Sequence, residues 1–139
     1  MIDKIRASAA EAVAIVPSGS VVLSGGFGEI GVPQELLEAL AERDVKDLTI
    51  VSNNGGTGDR GLALLFKQRR VRRLITSFPS QPGADHFHAA YEEGGVEVEL
   101  VPQGTLAERL RAGGAGLAGF FTPTGYGTEL AQGKETRIV

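Results

Sequence analysis

Cysteine is missing from the chain, so it can hold no disulfide, no thiolate nucleophile and no cysteine-ligated metal. A basic excess is missing too: 14 Lys and Arg stand against 17 Asp and Glu, a net charge of −3. That balance argues against a dedicated nucleic-acid binder. No stretch approaches the ~20 apolar residues of a membrane span. The first residues, MIDKIRASAAEAVAIV, are charged early and amphipathic later, without the apolar core of a signal peptide. A cytoplasmic protein with no membrane and no nucleic-acid partner is the expectation. What is present suits one folded domain: 139 residues, 42% of them hydrophobic. The 20 glycines are roughly twice the usual share, and they cluster, which marks particular turns.

Apolar periodicity predicts an alternating order. Residues 3–16 read as a helix with Ile5, Ala9, Ala12, Val13 and Val16 on one face, broken by Pro17-Ser18-Gly19. Residues 20–23 read as a short buried strand. Pro33 suits a first helical position, and Val32, Leu36, Leu37 and Leu40 make that helix's core stripe. Strands follow at 48–51, 71–76 and 96–101, the last with VEVELV alternation that suggests an edge. Helices are expected at 61–68 and at 84–93, the latter with Phe87, Ala90 and Tyr91 inward and Gly94-Gly95 closing it. Thr105-Leu-Ala-Glu108 has the form of a capping box, opening a helix that carries Leu106 and Leu110 and ends at Gly113-Gly114. Residues 116–128 read as a strand plus long turns. The predicted fold class is α/β: an open, mainly parallel sheet of five strands flanked by helices. The closing KETRIV resembles the start of a strand, which suggests an incomplete chain.

Ligands of such sheets gather at the carboxyl ends of the strands. Four loops fall there: 24–31, 52–58, 77–83 and 102–104. The first, SGGFGEIG, contains G-x-G-x-x-G at Gly26, Gly28 and Gly31. A dinucleotide site also wants an acidic residue about 20 residues on, at the end of the second strand. That strand ends Val51-Ser52-Asn53-Asn54, with no acid before Asp59. A tight turn, or close backbone approach to an anionic or thioester ligand, remains open. Gln103 is held between a strand end and a helix start, where a neutral amide can stabilise a carbonyl oxygen turning negative; a turn-stabilising surface glutamine is the alternative. Asn53 and Asn54 are either ligands to a carbonyl or carboxylate, or turn formers. His86 and His88 are two apart on a helix and do not share a face, so no metal site is expected. The cationic run at 67–73 reads as a solvated helix end. Glu29, in the glycine loop, has no second group placed to make it a nucleophile.

Three segments together, SGGFGEIGVP, VSNNGG and VPQGTLAERLRAGGAGLAGFFTPTGYGTELAQGKETR, resemble the A (alpha) subunit of the family I 3-oxoacid CoA-transferases. The resemblance runs over essentially the whole chain. SFPSQ at Ser77 to Gln81 and the ending ELAQGKETR look closest to the 3-oxoadipate enzymes, while the acetoacetate enzymes share most of the rest. The resemblance implies the matching three-layer fold and ping-pong transfer of CoA from succinyl-CoA to a 3-oxoacid, most simply 3-oxoadipate. The chemistry is nucleophilic, through a glutamyl-CoA thioester on a B subunit, in a heterodimer or α2β2 assembly. It implies no tightly bound cofactor, with the CoA thioester as substrate. By the family pattern Gln103 contributes to the oxyanion hole. Gly25, Gly26, Phe27, Gly28, Glu29, Ile30 and Gly31 form the CoA-contacting turn, and Asn53, Asn54 and Gly114 are expected to bind substrate. An acetoacetate enzyme is the near alternative. A nucleotide-dependent oxidoreductase and a non-catalytic ligand-binding module are the remote ones.

Overall fold

The computed structural model of the chain describes residues 3–138. Four parallel strands lie side by side in chain order: β1 (Val21–Leu23), β2 (Leu48–Ser52), β3 (Val71–Thr76) and β4 (Glu97–Leu100). Helices α2 (Gln34–Ala41), α3 (Gly61–Lys67) and α4 (Asp85–Glu92) connect them; α1 (Ala9–Val13) precedes β1, and α5 (Gln103–Gly114) follows β4. Right-handed crossovers between neighbouring strands put successive connecting helices on one face of a sheet. The packing agrees. The register aligns Val22, Ile50, Leu74 and Val98 across the sheet. All four pack in the main apolar core with Val13, Leu37, Leu40, Leu62, Leu65, Phe66 and Phe87 from α1 to α4.

The other face begins with the row Leu23, Val51, Ile75 and Glu99. Its core is small, with Leu106 of α5 packed in one cluster with Val51, Ile75 and Val101. The chain thus changes faces after β4. β2 is buried along its whole length, as a central strand covered on both sides should be. Helix ends are closed by backbone geometry. Arg69, at φ 56°, and Gly94, at φ 72°, end α3 and α4 in left-handed turns. There the amides of Arg70 and Gly95 reach back to the carbonyls of Leu65 and Ala90.

Several expectations need correcting. The N-terminal helix is five residues rather than fourteen, because the stretch before it finds nothing to pack against: Ile5 is 84% exposed. β1 is not buried; it is an edge, with Val21 and Leu23 at 61% and 58% exposure. Leu36 and Tyr91 face outward rather than into the core. The capping box is absent. α5 starts at Gln103 after an N-cap at Pro102, no side chain caps it, and Thr105 lies inside the first turn. A preset proline φ at the cap replaces the side-chain device. No strand forms among described residues 116–138, where only a 3-10 turn at Glu129–Ala131 is regular; Val139 lies outside the described residues. The sheet therefore has four strands rather than five. Among the described residues no helix is long and apolar enough to cross a membrane.

Candidate active site

Because the strands are parallel, their carboxyl ends share one rim. There the loops after β1 and β2 meet the start of α5 around a groove of about 280 Å³. Its walls are Leu23, Ser24, Gly25 and Gly26 on one side and Gln103, Leu106, Ala107 and Leu110 on the other, with Val51, Ser52 and Asn53 between. One end is polar and the rest is apolar. This is the crevice beside which the chain changes faces, where open sheets hold ligands. A larger cavity of about 750 Å³, between the end of β4, α5 and residues 118–137, contains none of the expected site residues.

The glycine loop divides in two. Ser24 continues the parallel ladder through its amide to the Val51 carbonyl, 2.9 Å, and Gly25 and Gly26 then line the groove. Gly26 has φ +120°, and a Cβ there would lie 2.5 Å from Cγ2 of Val32, so the loop needs glycine to close on the entry to α2. Phe27 to Ile30 stand out beyond it as a two-bond hairpin, Phe27 N–H to Ile30 O at 2.9 Å and Ile30 N–H to Phe27 O at 3.1 Å. Both apolar side chains are exposed, at 73% and 84%. Glu29 accepts from the Thr57 hydroxyl at 2.6 Å and from Gln34 Nε2 at 3.1 Å, a structural tie between hairpin and neighbouring loop. Gly31 returns the chain to α2 and does not line the groove.

Asn53 and Asn54 are buried at the end of β2. Asn54 Nδ2 donates to the Gly28 carbonyl (3.1 Å) and to Asn53 Oδ1 (3.3 Å), while its own Oδ1 accepts the Gly56 amide (2.7 Å). Asn53 Nδ2 donates to Ser77 Oγ (2.9 Å) and to Gln103 Oε1 (3.2 Å). Ser77 Oγ also bonds Gln103 Oε1. An amide nitrogen carries two donors, so neither asparagine has an N–H left over for a ligand in this arrangement. Gln103, at the polar end of the groove, is the reverse case: its oxygen takes two bonds from the protein, and among the described residues its Nε2 makes none.

Gly114 is not brought to this rim. It ends α5, eleven residues beyond Gln103 and roughly 16 Å along the helix axis. Ser77 is the residue that sequence reasoning left unnamed as a site residue, although its loop was placed at the rim. The basic run is dispersed: Lys67, Arg69, Arg70 and Arg73 pair with Asp59, Glu93, Asp44 and Glu99. His86 bonds Asp59 and His88 bonds Ser80, and among the described residues no group of three acids or histidines could hold a metal. The groove's lining contains no carboxylate and no histidine. It offers amide and backbone donors and no group that could serve as base or carboxylate nucleophile.

Comparison with known proteins identifies the family. A family model described as Coenzyme A transferase matches residues 6–138. The chain is 50% identical over 139 residues to the A subunit of a 3-oxoadipate CoA-transferase from Pseudomonas putida, covering all of this chain and 60% of that protein. It is 46% identical to the A subunit of a probable succinyl-CoA:3-ketoacid coenzyme A transferase from Bacillus subtilis, covering 95% of this chain and 55% of that one. The chain thus spans a little over half the length of these relatives. Among solved structures it superimposes on an acyl-CoA transferase from E. coli O157:H7, in a thioester complex with CoA, with a TM-score of 0.71 and 26% identity, over 86% of this chain and 25% of that one. The decarboxylase AibA/AibB matches with a TM-score of 0.72 and 26% identity, over 89% of this chain and 48% of that one. From the extent of the family match and the identities over nearly the whole chain, the protein belongs to the coenzyme A transferase family.

Proposed function

We propose that this chain is the A-type part of a 3-oxoacid CoA-transferase that moves CoA from succinyl-CoA to 3-oxoadipate, with the nucleophilic glutamate supplied by a B subunit. The CoA thioester is a substrate, and no resident cofactor takes part. The observation that carries this reading is the half-site. A groove at the strand ends presents an amide donor from Gln103 and backbone from Gly25 and Gly26, and its lining holds no carboxylate. A thioester exchange needs both halves.

The reaction balances with one glutamate. Its carboxylate attacks the succinyl thioester carbonyl, forming a mixed anhydride and expelling CoA thiolate. The thiolate attacks the glutamyl carbonyl, which releases succinate and leaves glutamyl-CoA. The acceptor carboxylate repeats the sequence in reverse: it forms a new anhydride, and returning thiolate frees the glutamate and the new acyl-CoA. Every step passes through an oxyanion, and Gln103 Nε2 is the side-chain donor of this chain that we assign to stabilise it.

Purified chain, with and without a co-expressed B subunit, is assayed for CoA transfer from succinyl-CoA to 3-oxoadipate and to acetoacetate. Transfer is expected only with both chains, and faster to 3-oxoadipate. Robust transfer by the chain alone would sink the two-subunit reading. Faster transfer to acetoacetate would favour the second reading, which the similarity to the 3-ketoacid enzymes supports.

A further inference from the structure

The rim residues form a hydrogen-bond chain with a single direction. We infer that Asn54, Asn53 and Ser77 act as a relay of positioning residues that holds the Gln103 carboxamide with its nitrogen toward the groove. This rests on the transferase reading above for its kinetic consequence, though not for its geometry.

The argument starts from groups that cannot reverse. A backbone N–H can only donate, and a backbone carbonyl can only accept. Gly56 N–H points at Asn54 Oδ1, 2.7 Å, and Gly28 C=O receives Asn54 Nδ2, 3.1 Å. These two contacts decide which end of the Asn54 amide is oxygen. The Gly56 amide is itself held in place: φ is +79°, and a Cβ there would sit 2.5 Å from the Ala63 nitrogen, so the loop packs directly on the start of α3. With Asn54 set, its Nδ2 donates to Asn53 Oδ1, which turns Asn53 Nδ2 toward Ser77 Oγ and Gln103 Oε1. Ser77 Oγ, already accepting from Asn53, has one proton and two acceptors, Gln103 Oε1 and the Asn53 carbonyl at 3.4 Å, and the bond to Gln103 is the shorter. A flipped Gln103 would set Nε2 against the Asn53 N–H, donor against donor. Bonds aligned in one direction also strengthen one another.

The four side chains come from the loop after β2 (Asn53 and Asn54), the loop after β3 (Ser77) and the first residue of α5 (Gln103), and the parallel sheet brings them together. Their ends differ in burial. Asn53 and Asn54 are buried, Ser77 is half-buried and Gln103 is exposed. An exposed glutamine otherwise samples many rotamers, so a directed donor at this place needs such a lock.

The test is a double-mutant cycle in the chain assembled with its B subunit, reading kcat and KM separately. Ser77→Ala should lower kcat about three- to tenfold, as loss of one hydrogen bond to the amide would, with KM within about twofold. Ser77→Thr, which keeps the hydroxyl, should restore kcat. Gln103→Glu keeps the two bonds to Oε1 and removes the outward donor; in that background Ser77→Ala should cost less than about 1.5-fold further. Losses that multiply, or a Ser77→Ala enzyme equal to wild type, would overturn the relay. If the assembled wild type transfers no CoA, the transferase reading fails and the relay is tested in the chain itself. Its Gln103 side-chain NH2 group, identified as the NMR pair that Gln103→Glu removes, should give two sharp resonances that broaden in Ser77→Ala. Unchanged resonances would overturn the relay by that route.

Discussion

The two faces of the sheet are built for different ends. On one face, three crossover helices and α1 bury a continuous core in which Leu48, Ile50, Leu65, Phe66 and Leu74 are wholly shielded from solvent. On the other, α5 packs over a smaller core of Val51, Val101 and Leu106 with Ile75 beside it. That second face also carries charge: Arg73 and Arg109 both bind Glu99 there, at 2.7 and 2.6 Å. The groove with Gln103 opens on this sparse side. Close packing is what makes a core rigid, and a face already filled with side chains has no room for a ligand. In this chain the thick face holds most of the core, and the groove lies on the thin one.

The comparison can be broken most directly with one substitution made on each face. Leu74→Ala should cost about 4 kcal/mol and Leu106→Ala about 2 kcal/mol, since large-to-small losses grow with the cavity left behind and the thin face can collapse onto it. Denaturant unfolding of both variants measures this, and equal losses would erase the distinction. Gln103→Ala should show the opposite profile. Its stability should fall by only about 1 kcal/mol, the cost of leaving one N–H of the buried Asn53 amide without its acceptor. On the proposed transferase reading, the chain assembled with its B subunit should lose roughly 10²-fold or more in kcat, the usual loss for an oxyanion donor. A loss under about threefold removes Gln103 from the mechanism. Gly26→Ala joins the two profiles. A Cβ meeting Val32 at 2.5 Å in a positive-φ backbone should cost about 2 kcal/mol and displace one wall of the groove. A variant with native stability and native KM for succinyl-CoA would show that the wall tolerates movement.

How much of this was legible depended on whether the cause was local. The strands expected at 48–51 and 71–76 and the helix between them are readable, because their apolar residues fall where their elements need them. β1 was misjudged for a physical reason: SVVL is apolar on both sides whether its strand is central or at an edge, and only the topology decides exposure. The start of α5 was misplaced because Pro102 ends the extended chain and launches the helix at once, two residues before Thr105. The rim was legible as a place, since every strand end in a parallel sheet meets there. The relay was not, because it joins residues 24 to 50 positions apart through bonds that no spacing encodes. Ser77 looked like any loop serine until β3 set it beside Asn53 and Gln103.

The smallest expected effect concerns the ion cluster that gives the thin face its polar half. The Arg109 guanidinium, hydrogen-bonded to Oε1 of Glu99, holds that carboxyl below its usual value of 4.5; Arg73 on Oε2 adds to this, and partial burial opposes it. A carboxyl with a lowered folded-state pKa binds its proton more readily once unfolded. Its contribution to stability is therefore complete above the unfolded value near 4.5 and disappears as the pH falls through the lower folded one. Because both arginines are partly exposed, the contribution should stay below about 1 kcal/mol. Tm is compared for wild type and Glu99→Gln from pH 8 to pH 3. The two should differ by a constant small gap down to about pH 5 and converge in more acidic solution. A gap that persists unchanged to pH 3 would mean that the carboxylate's charge contributes nothing, and that α5 is held on this face by Leu106 and its apolar neighbours alone.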